Sequence, residues 1–345
     1  MFANSIVCKK QNLETPILHE TIDKLSKEFT IDFLRSESKI LIKNVQSDLI
    51  TNFRIYNGQS GNLIYDLFEL FILVFLFFSC AKDNNTESPT PVSYRITKVI
   101  SYNNINVNVI IDKPALNEVD VLITYHGTVQ SDSNILPAAE NTLNQFKSIL
   151  NRQDMMIVSV AHPQLKILFG DNIVQAEAAL LWVKHHANKE LGITVKKIFL
   201  AGHSQGGYLV TRLNTMHQTN GVIANAPGPL NLVFRCQLEE NGQTPASYVC
   251  DTLRNVYGTT TVNPNAYAQR SLLNFTNGFK SDILFIQGLN DAPIQMYSWP
   301  SFKQDVLNCS NCLSRKFVEV NGAGHGALFE SQSAKNEFNS FINSH

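Results

Sequence analysis

Charge excess of either sign is missing from this 345-residue sequence: 28 Lys and Arg stand against 29 Asp and Glu. Without a cationic surplus nothing draws the chain to nucleic acid or an anionic membrane surface, which sets aside polyanion-binding roles. Long apolar runs are missing too. Residues 70–78 (LFILVFLFF) are continuously apolar, but nine helical residues rise only about 14 Å against a hydrocarbon core of roughly 30 Å, so a spanning helix is disfavoured. There is no internal repeat, heptad pattern or long low-complexity tract, which excludes solenoids and coiled coils. What is present is 44% hydrophobic content, enough for a substantial core in one large or two ordinary domains.

The short apolar run fits a signal-peptide core, with a buried core helix as its structural alternative. Its ending, Phe77-Phe78-Ser79-Cys80, resembles the lipobox of bacterial lipoproteins. That resemblance implies lipidation of Cys80, an outer-membrane anchor in the cell envelope of a Gram-negative bacterium, and membrane contact through the lipid only; plain secretion is the alternative. The polar stretch after it (AKDNNTESPTPV) reads as a tether. Against a signal stand Asp66 and Glu69, placed where a cationic start is expected. The division expected is therefore an N-terminal extension over 1–61, a signal-type segment over 62–80, a polar linker over 81–92 and a main domain over 93–345.

From residue 92 onward, short β-rich runs alternate with helical patterns, which predicts an α/β fold: a doubly wound, mostly parallel sheet covered by helices on both faces. The spans 94–100 and 105–111 form an opening antiparallel pair around Asn103-Asn104. Strands follow at 119–125, 155–161, 197–201, 222–226, 283–287 and 316–320. Helices are expected at 137–151, 172–191, 205–218, near 298–308 and at 327–343, with an irregular stretch of about fifty residues after residue 226. A parallel sheet sets its ligand crevice at the carboxyl ends of its strands. Ser204, Asp291 and His325 each follow such an end.

Ser204 lies in AGHSQGG. A serine hydroxyl is a weak nucleophile, so it needs a base and a third group that orients the base. It must also protrude from a sharp strand-to-helix turn, where side chains two residues away on either side would collide; Gly202 and Gly206 remove them. The flanking strand and helix, and the order Ser, Asp, His, distinguish this motif from an ordinary glycine turn.

In these residues the chain, over about 92–345, resembles the α/β-hydrolase superfamily. The resemblance implies Ser204 as nucleophile, His325 (in GAGHGA) as general base and Asp291 (in GLNDAP) as its orienting acid. Asp282 precedes its strand and is at the wrong end of the sheet. It further implies an oxyanion hole from the amide of Gln205 and one in His126-Gly127-Thr128, either that of Gly127 or, the leading candidate, that of Thr128. No cofactor or metal is implied. The stretches GHSQGGY and RSLLNFTNGFKSDILFIQGLND look like the dienelactone-hydrolase and prolyl-oligopeptidase branches. About ninety N-terminal residues are too few for the propeller that usually accompanies the latter. The expected activity is thus hydrolysis of small carboxylic esters, with short peptides as the alternative substrate and a non-catalytic surface binding protein as the alternative of another class.

Residues 230–280 occupy the position of a lid insertion in many family members. They contain Cys236 and Cys250, and Cys309 and Cys312 form a C-x-x-C. In an exported domain two disulfides, Cys236–Cys250 and Cys309–Cys312, are the simplest use of these thiols, with a four-cysteine zinc site as the sharper alternative. Tyr297, Trp299 and Phe302 either line an acyl pocket or pack a helix on the sheet.

Overall fold

The computed structural model describes residues 91–164 and 167–345. The extension 1–61, the signal-type segment with Cys80 and the linker up to residue 90 lie outside the described residues. Strands β1 (Tyr94–Tyr102) and β2 (Ile105–Lys113) form a hairpin whose turn residues, Asn103 and Asn104, both have positive φ (48° and 65°), a conformation in which Asn is tolerated. β3 (Glu118–Tyr125) is followed by α1 (Ile135–Ile149), β4 (Met155–Ala161), α2 (Ile173–His185), α3 (Ala187–Leu191) and β5 (Thr194–His203). After α4 (Gln205–Met216) and β6 (Gly221–Asn225) comes a helical insertion of α5 (Leu232–Glu240), α6 (Tyr248–Tyr257) and α7 (Pro264–Ala268). The chain closes with β7 (Ile283–Gly288), α8 (Pro293–Met296), α9 (Trp299–Leu307), β8 (Arg315–Val320), α10 (Ala327–Glu330) and α11 (Gln332–Ser344).

The strands make one sheet in the order β1-β2-β4-β3-β5-β6-β7-β8, antiparallel at β1/β2 and β2/β4 and parallel elsewhere. The central strands are apolar on both faces over their inner stretches, Val121–Ile123 in β3 and Ile198–Ala201 in β5, because both faces are covered there. In β3, Val121, Ile123 and Tyr125 enter one core while Leu122 enters the other; in β5, Ile198 and Leu200 oppose Phe199 and Ala201 in the same way. Helices α2 and α4 cover the first face, with Trp182 and Tyr208 fully buried, and α1 and α11 cover the second, through Phe146 and Phe338. Each such side chain contributes roughly 1.5–3 kcal/mol through burial.

Three expectations are corrected. The helix expected over 172–191 is broken at His186, and α3 ends on left-handed Gly192. The closing helix is broken at Ser331, whose extended backbone lets its hydroxyl cap α11 at Ala334 N–H. The stretch expected to be irregular holds three helices. Each starts on a capping side chain: Asn231 accepts from Phe234, Ser247 from Cys250 and Asn263 from Ala266, with Pro264 in the first turn of α7, where a missing N–H costs nothing. The insertion is tied back to the main domain by Leu272 N–H to Pro229 O (3.2 Å) and Leu273 N–H to Leu230 O (3.1 Å). Disulfides join Cys236 to Cys250, between α5 and α6, and Cys309 to Cys312. Both pairings expected from sequence are present at bonding distance. Among the described residues no helix is long and apolar enough to cross a membrane.

Candidate active site

The turn from β5 into α4 sets Ser204 at φ 56°, ψ −118°, a region that non-glycine residues rarely occupy. Its amide donates to Asn225 O (2.9 Å), and its carbonyl accepts from Tyr208 (3.0 Å) and Gly228 (3.1 Å). The glycines beside it are sterically required. A Cβ on Gly202 would overlap the Gly206 carbonyl, and one on Gly206 would overlap the carbonyl of Tyr125 at the end of β3.

His325, in the loop after β8, and Asp291, in the loop after β7, are joined by a 2.8 Å hydrogen bond from imidazole Nδ1 to carboxylate Oδ2. The Asp291 side chain is 3% exposed and that of His325 44%, so a buried carboxylate holds an accessible imidazole. Asp291 also accepts from Gln287 Nε2 (2.9 Å) and from Ala292 N–H (2.7 Å). Burial pushes its carboxyl up, but these donors and His325 outweigh that effect and hold it below the ordinary carboxylate value. The two loops are laced together by Asn290 N–H to Ala323 O (2.9 Å) and Leu289 N–H to Val320 O (3.0 Å). Asp282, the rejected alternative, is engaged elsewhere, with Ser314 N–H and His345.

The structure therefore brings Asp291 and His325 into direct contact, with Ser204 on the neighbouring elbow. The ring of His203, next to Ser204, lies 4.8 Å from that of His325. Among the described residues no hydrogen bond links the Ser204 hydroxyl to His325; in unliganded hydrolytic sites this bond is commonly long and tightens on substrate binding. Gln205 is the first residue of α4, so its N–H has no intrahelical partner. Gly127 lies against Ser204: a Cβ there would come within 3.3 Å of Ser204 Cβ. The Thr128 hydroxyl reaches Gln205 Oε1 (3.3 Å), so the two residues expected to supply oxyanion donors are neighbours. Tyr248 and Val249 of the insertion line the small cavity beside Thr128 and Gln205. Trp299 and Phe302 are core residues, 2% and 0% exposed, whereas Tyr297 is exposed and stacks on Phe234 of α5 with ring centroids 3.8 Å apart.

Sequence reading missed the residues that support these groups. Fully buried Asn225 accepts the Ser204 amide on its backbone oxygen, donates from Nδ2 to His203 Nδ1 (2.9 Å) and accepts Leu328 N–H on Oδ1 (3.3 Å). It thus links the elbow to the segment after His325. The rings of His126 and His162 stack at 3.8 Å, nearly parallel. Burial lowers His126 and His203 to about 4, and His162 well below its ordinary value. A fold that keeps three imidazoles neutral loses stability when the unfolded chain takes up protons they cannot accept in place. Stability contributed this way is intact above about pH 6.5 and is lost as the pH falls toward 4. Urea-unfolding midpoints should be flat from pH 8 to 7 and drop steeply between 6 and 4.5; a flat midpoint across that lower range would contradict these assignments.

No protein-family model and no curated protein sequence matches the chain. Solved structures do. The esterase Est1E from Butyrivibrio proteoclasticus matches at a TM-score of 0.50 and 15% identity, over 72% of this chain and 99% of its own. A hyperthermophilic esterase from Pyrobaculum calidifontis matches at 0.53 and 16%, over 74% and 86%. The acylaminoacyl peptidase of Pyrococcus horikoshii matches at 0.51 and 12%, over 75% of this chain but 42% of its own. With its sheet order, crossover helices and these structural likenesses, the chain has the α/β-hydrolase fold.

Proposed function

We propose that this protein hydrolyses carboxylic esters through an acyl-enzyme on Ser204. The observation that carries the proposal is the Asp291–His325 pair at 2.8 Å, set at adjacent strand ends beside a serine on a strained elbow. Ser204 Oγ attacks the ester carbonyl carbon while His325 Nε2 takes the hydroxyl proton. Charge developing on the carbonyl oxygen is met by the amides of Gln205 and Thr128. The tetrahedral intermediate collapses with cleavage of the bond to the alcohol oxygen, which leaves with the proton from His325. Water then gives a proton to His325 and attacks the acyl carbon, and the bond to Ser204 Oγ breaks as Oγ takes that proton back from His325, releasing the acid and restoring both residues. Asp291 remains ionised throughout and holds the imidazole with Nδ1–H toward itself, keeping the Nε2 lone pair for Ser204.

Esters are favoured over peptides because the esterases are matched over 86–99% of their lengths and the peptidase over 42%. An acyl p-nitrophenyl ester should give a burst of p-nitrophenol equal to the enzyme concentration, followed by steady turnover, with no release from a proline-containing peptide anilide. Cleavage of the anilide alone would turn the assignment to a peptidase.

We also propose that the protein is anchored to the cell envelope by lipid on Cys80, supported by the FFSC run and the polar tether after it. Mass spectrometry of membrane-extracted protein should find lipidated Cys80 as the N-terminus. An unmodified Cys80 still joined to Ser79 would contradict it.

A further inference from the structure

The loop after β3 holds a second layer of organisation. Its backbone groups can be followed one by one. His126 O accepts from His162 Nε2 (3.1 Å), and Gly127 O accepts from Gln164 Nε2 (3.1 Å) and lies 2.7 Å from His126 Nδ1. Val129 N–H donates to Gln164 Oε1 at 2.7 Å. The amides of Gly127 and Thr128 make no hydrogen bond among the described residues. Gln164, 5% exposed and just past the end of β4, therefore grips the loop on both sides of Thr128 with the two halves of one side-chain amide.

We infer that Gln164 is the positioning residue that aims the Thr128 amide at the oxyanion. In a trans peptide the C=O and N–H point in opposite directions. Fixing the Gly127 carbonyl on Gln164 therefore fixes the Thr128 N–H on the opposite side. Holding Val129 N–H prevents the next peptide from rotating to compensate. Gln164 is itself buried against the stacked, neutral imidazoles of His126 and His162, the second of which is oriented by Asn172 Nδ2 at 3.1 Å from its Nδ1. A preorganised donor needs such support, since a backbone amide has no side chain of its own to lock it.

This inference rests on the hydrolase reading, so its test combines a catalytic and a non-catalytic measurement on two near-isosteric variants. Gln164→Met removes both hydrogen bonds. Gln164→Glu keeps the acceptor for Val129 but sets a carboxylate against the Gly127 carbonyl. Both should lower kcat for an acyl p-nitrophenyl ester by about 10- to 100-fold, with KM within about threefold of wild type. In the absence of substrate, the Val129 amide should exchange with solvent at least about tenfold faster in Gln164→Met and at the wild-type rate in Gln164→Glu, while amides of β3 stay protected in both. Turnover within about threefold of wild type in both variants, or unchanged Val129 exchange in Gln164→Met, would overturn the inference. A wild type inactive on esters whose Val129 exchange nonetheless responds as described would remove the ester-hydrolase reading and leave the positioned amide standing.

Discussion

Ser204→Ala is expected to lower ester turnover by about 10⁵-fold or more while leaving the fold unchanged. Alanine loses only the oxygen. The serine hydroxyl provides no cap to α4 and forms no hydrogen bond among the described residues, so its removal leaves no partner unsatisfied. The positive φ at this position is already borne by a residue with a Cβ, and alanine adds no further strain. Residual activity will reflect the amides of Thr128 and Gln205, which the substitution does not touch. Thermal unfolding of the variant should match wild type within about a degree, because the change is confined to one accessible atom. Turnover within a hundredfold of wild type would mean that another nucleophile does the chemistry.

Asp291→Asn should cost about 10⁴-fold in kcat with little effect on KM. The carboxylate accepts on both oxygens: Oδ2 takes His325 and Gln287, and Oδ1 takes Ala292 N–H. An asparagine has one acceptor oxygen and one donor group. With its NH₂ at the Oδ2 position it faces the Gln287 donor and forces His325 to accept on Nδ1, which moves the proton to Nε2 and removes the base that Ser204 needs. With the NH₂ at the Oδ1 position it faces Ala292 N–H at short range. Either orientation leaves a donor against a donor in a nearly closed site, and leaving such a group unpaired costs about 1–3 kcal/mol. The depressed pKa of Asp291 also stabilises the fold above the ordinary carboxylate range and is lost as the pH falls through its folded value. The Asn variant should lose that part of the acid dependence and retain the part due to histidine. Steady-state kinetics with urea titration tests both statements together.

The framework of the sheet was legible because its central strands leave little choice. The runs over β3, β4 and β5 are apolar on both faces and too short for helices, and placing Ser204, Asp291 and His325 just beyond strand ends needed only the direction of a parallel sheet. The glycines of the elbow were readable for a similar reason, since Gly202 and Gly206 oppose backbone atoms that any Cβ would overlap. The insertion was less legible. Its helices are short and mixed in polarity, although Asn231, Ser247 and Asn263 each sit as capping residues ahead of one, a signal available in the sequence. Asn225, Gln287 and Gln164 were missed on different grounds. Each is a single polar residue in or just beyond a strand, and its importance comes from how the chain folds around it, across neighbouring elements for Asn225 and Gln164 and through the turn after β7 for Gln287. Asn225 pairs with His203 only because β6 neighbours β5, and Gln287 reaches Asp291 only because the chain turns back after β7. No local pattern encodes that adjacency.

Every step proposed for this site depends on Ser204 being an activated nucleophile. Reaction of the folded protein with a fluorophosphonate probe, followed by peptide mass spectrometry, tests it most directly. One adduct per chain is expected, on Ser204, absent from Ser204→Ala and strongly slowed in Asp291→Asn. Folded wild-type protein that takes no label, or takes it on another residue, would contradict it.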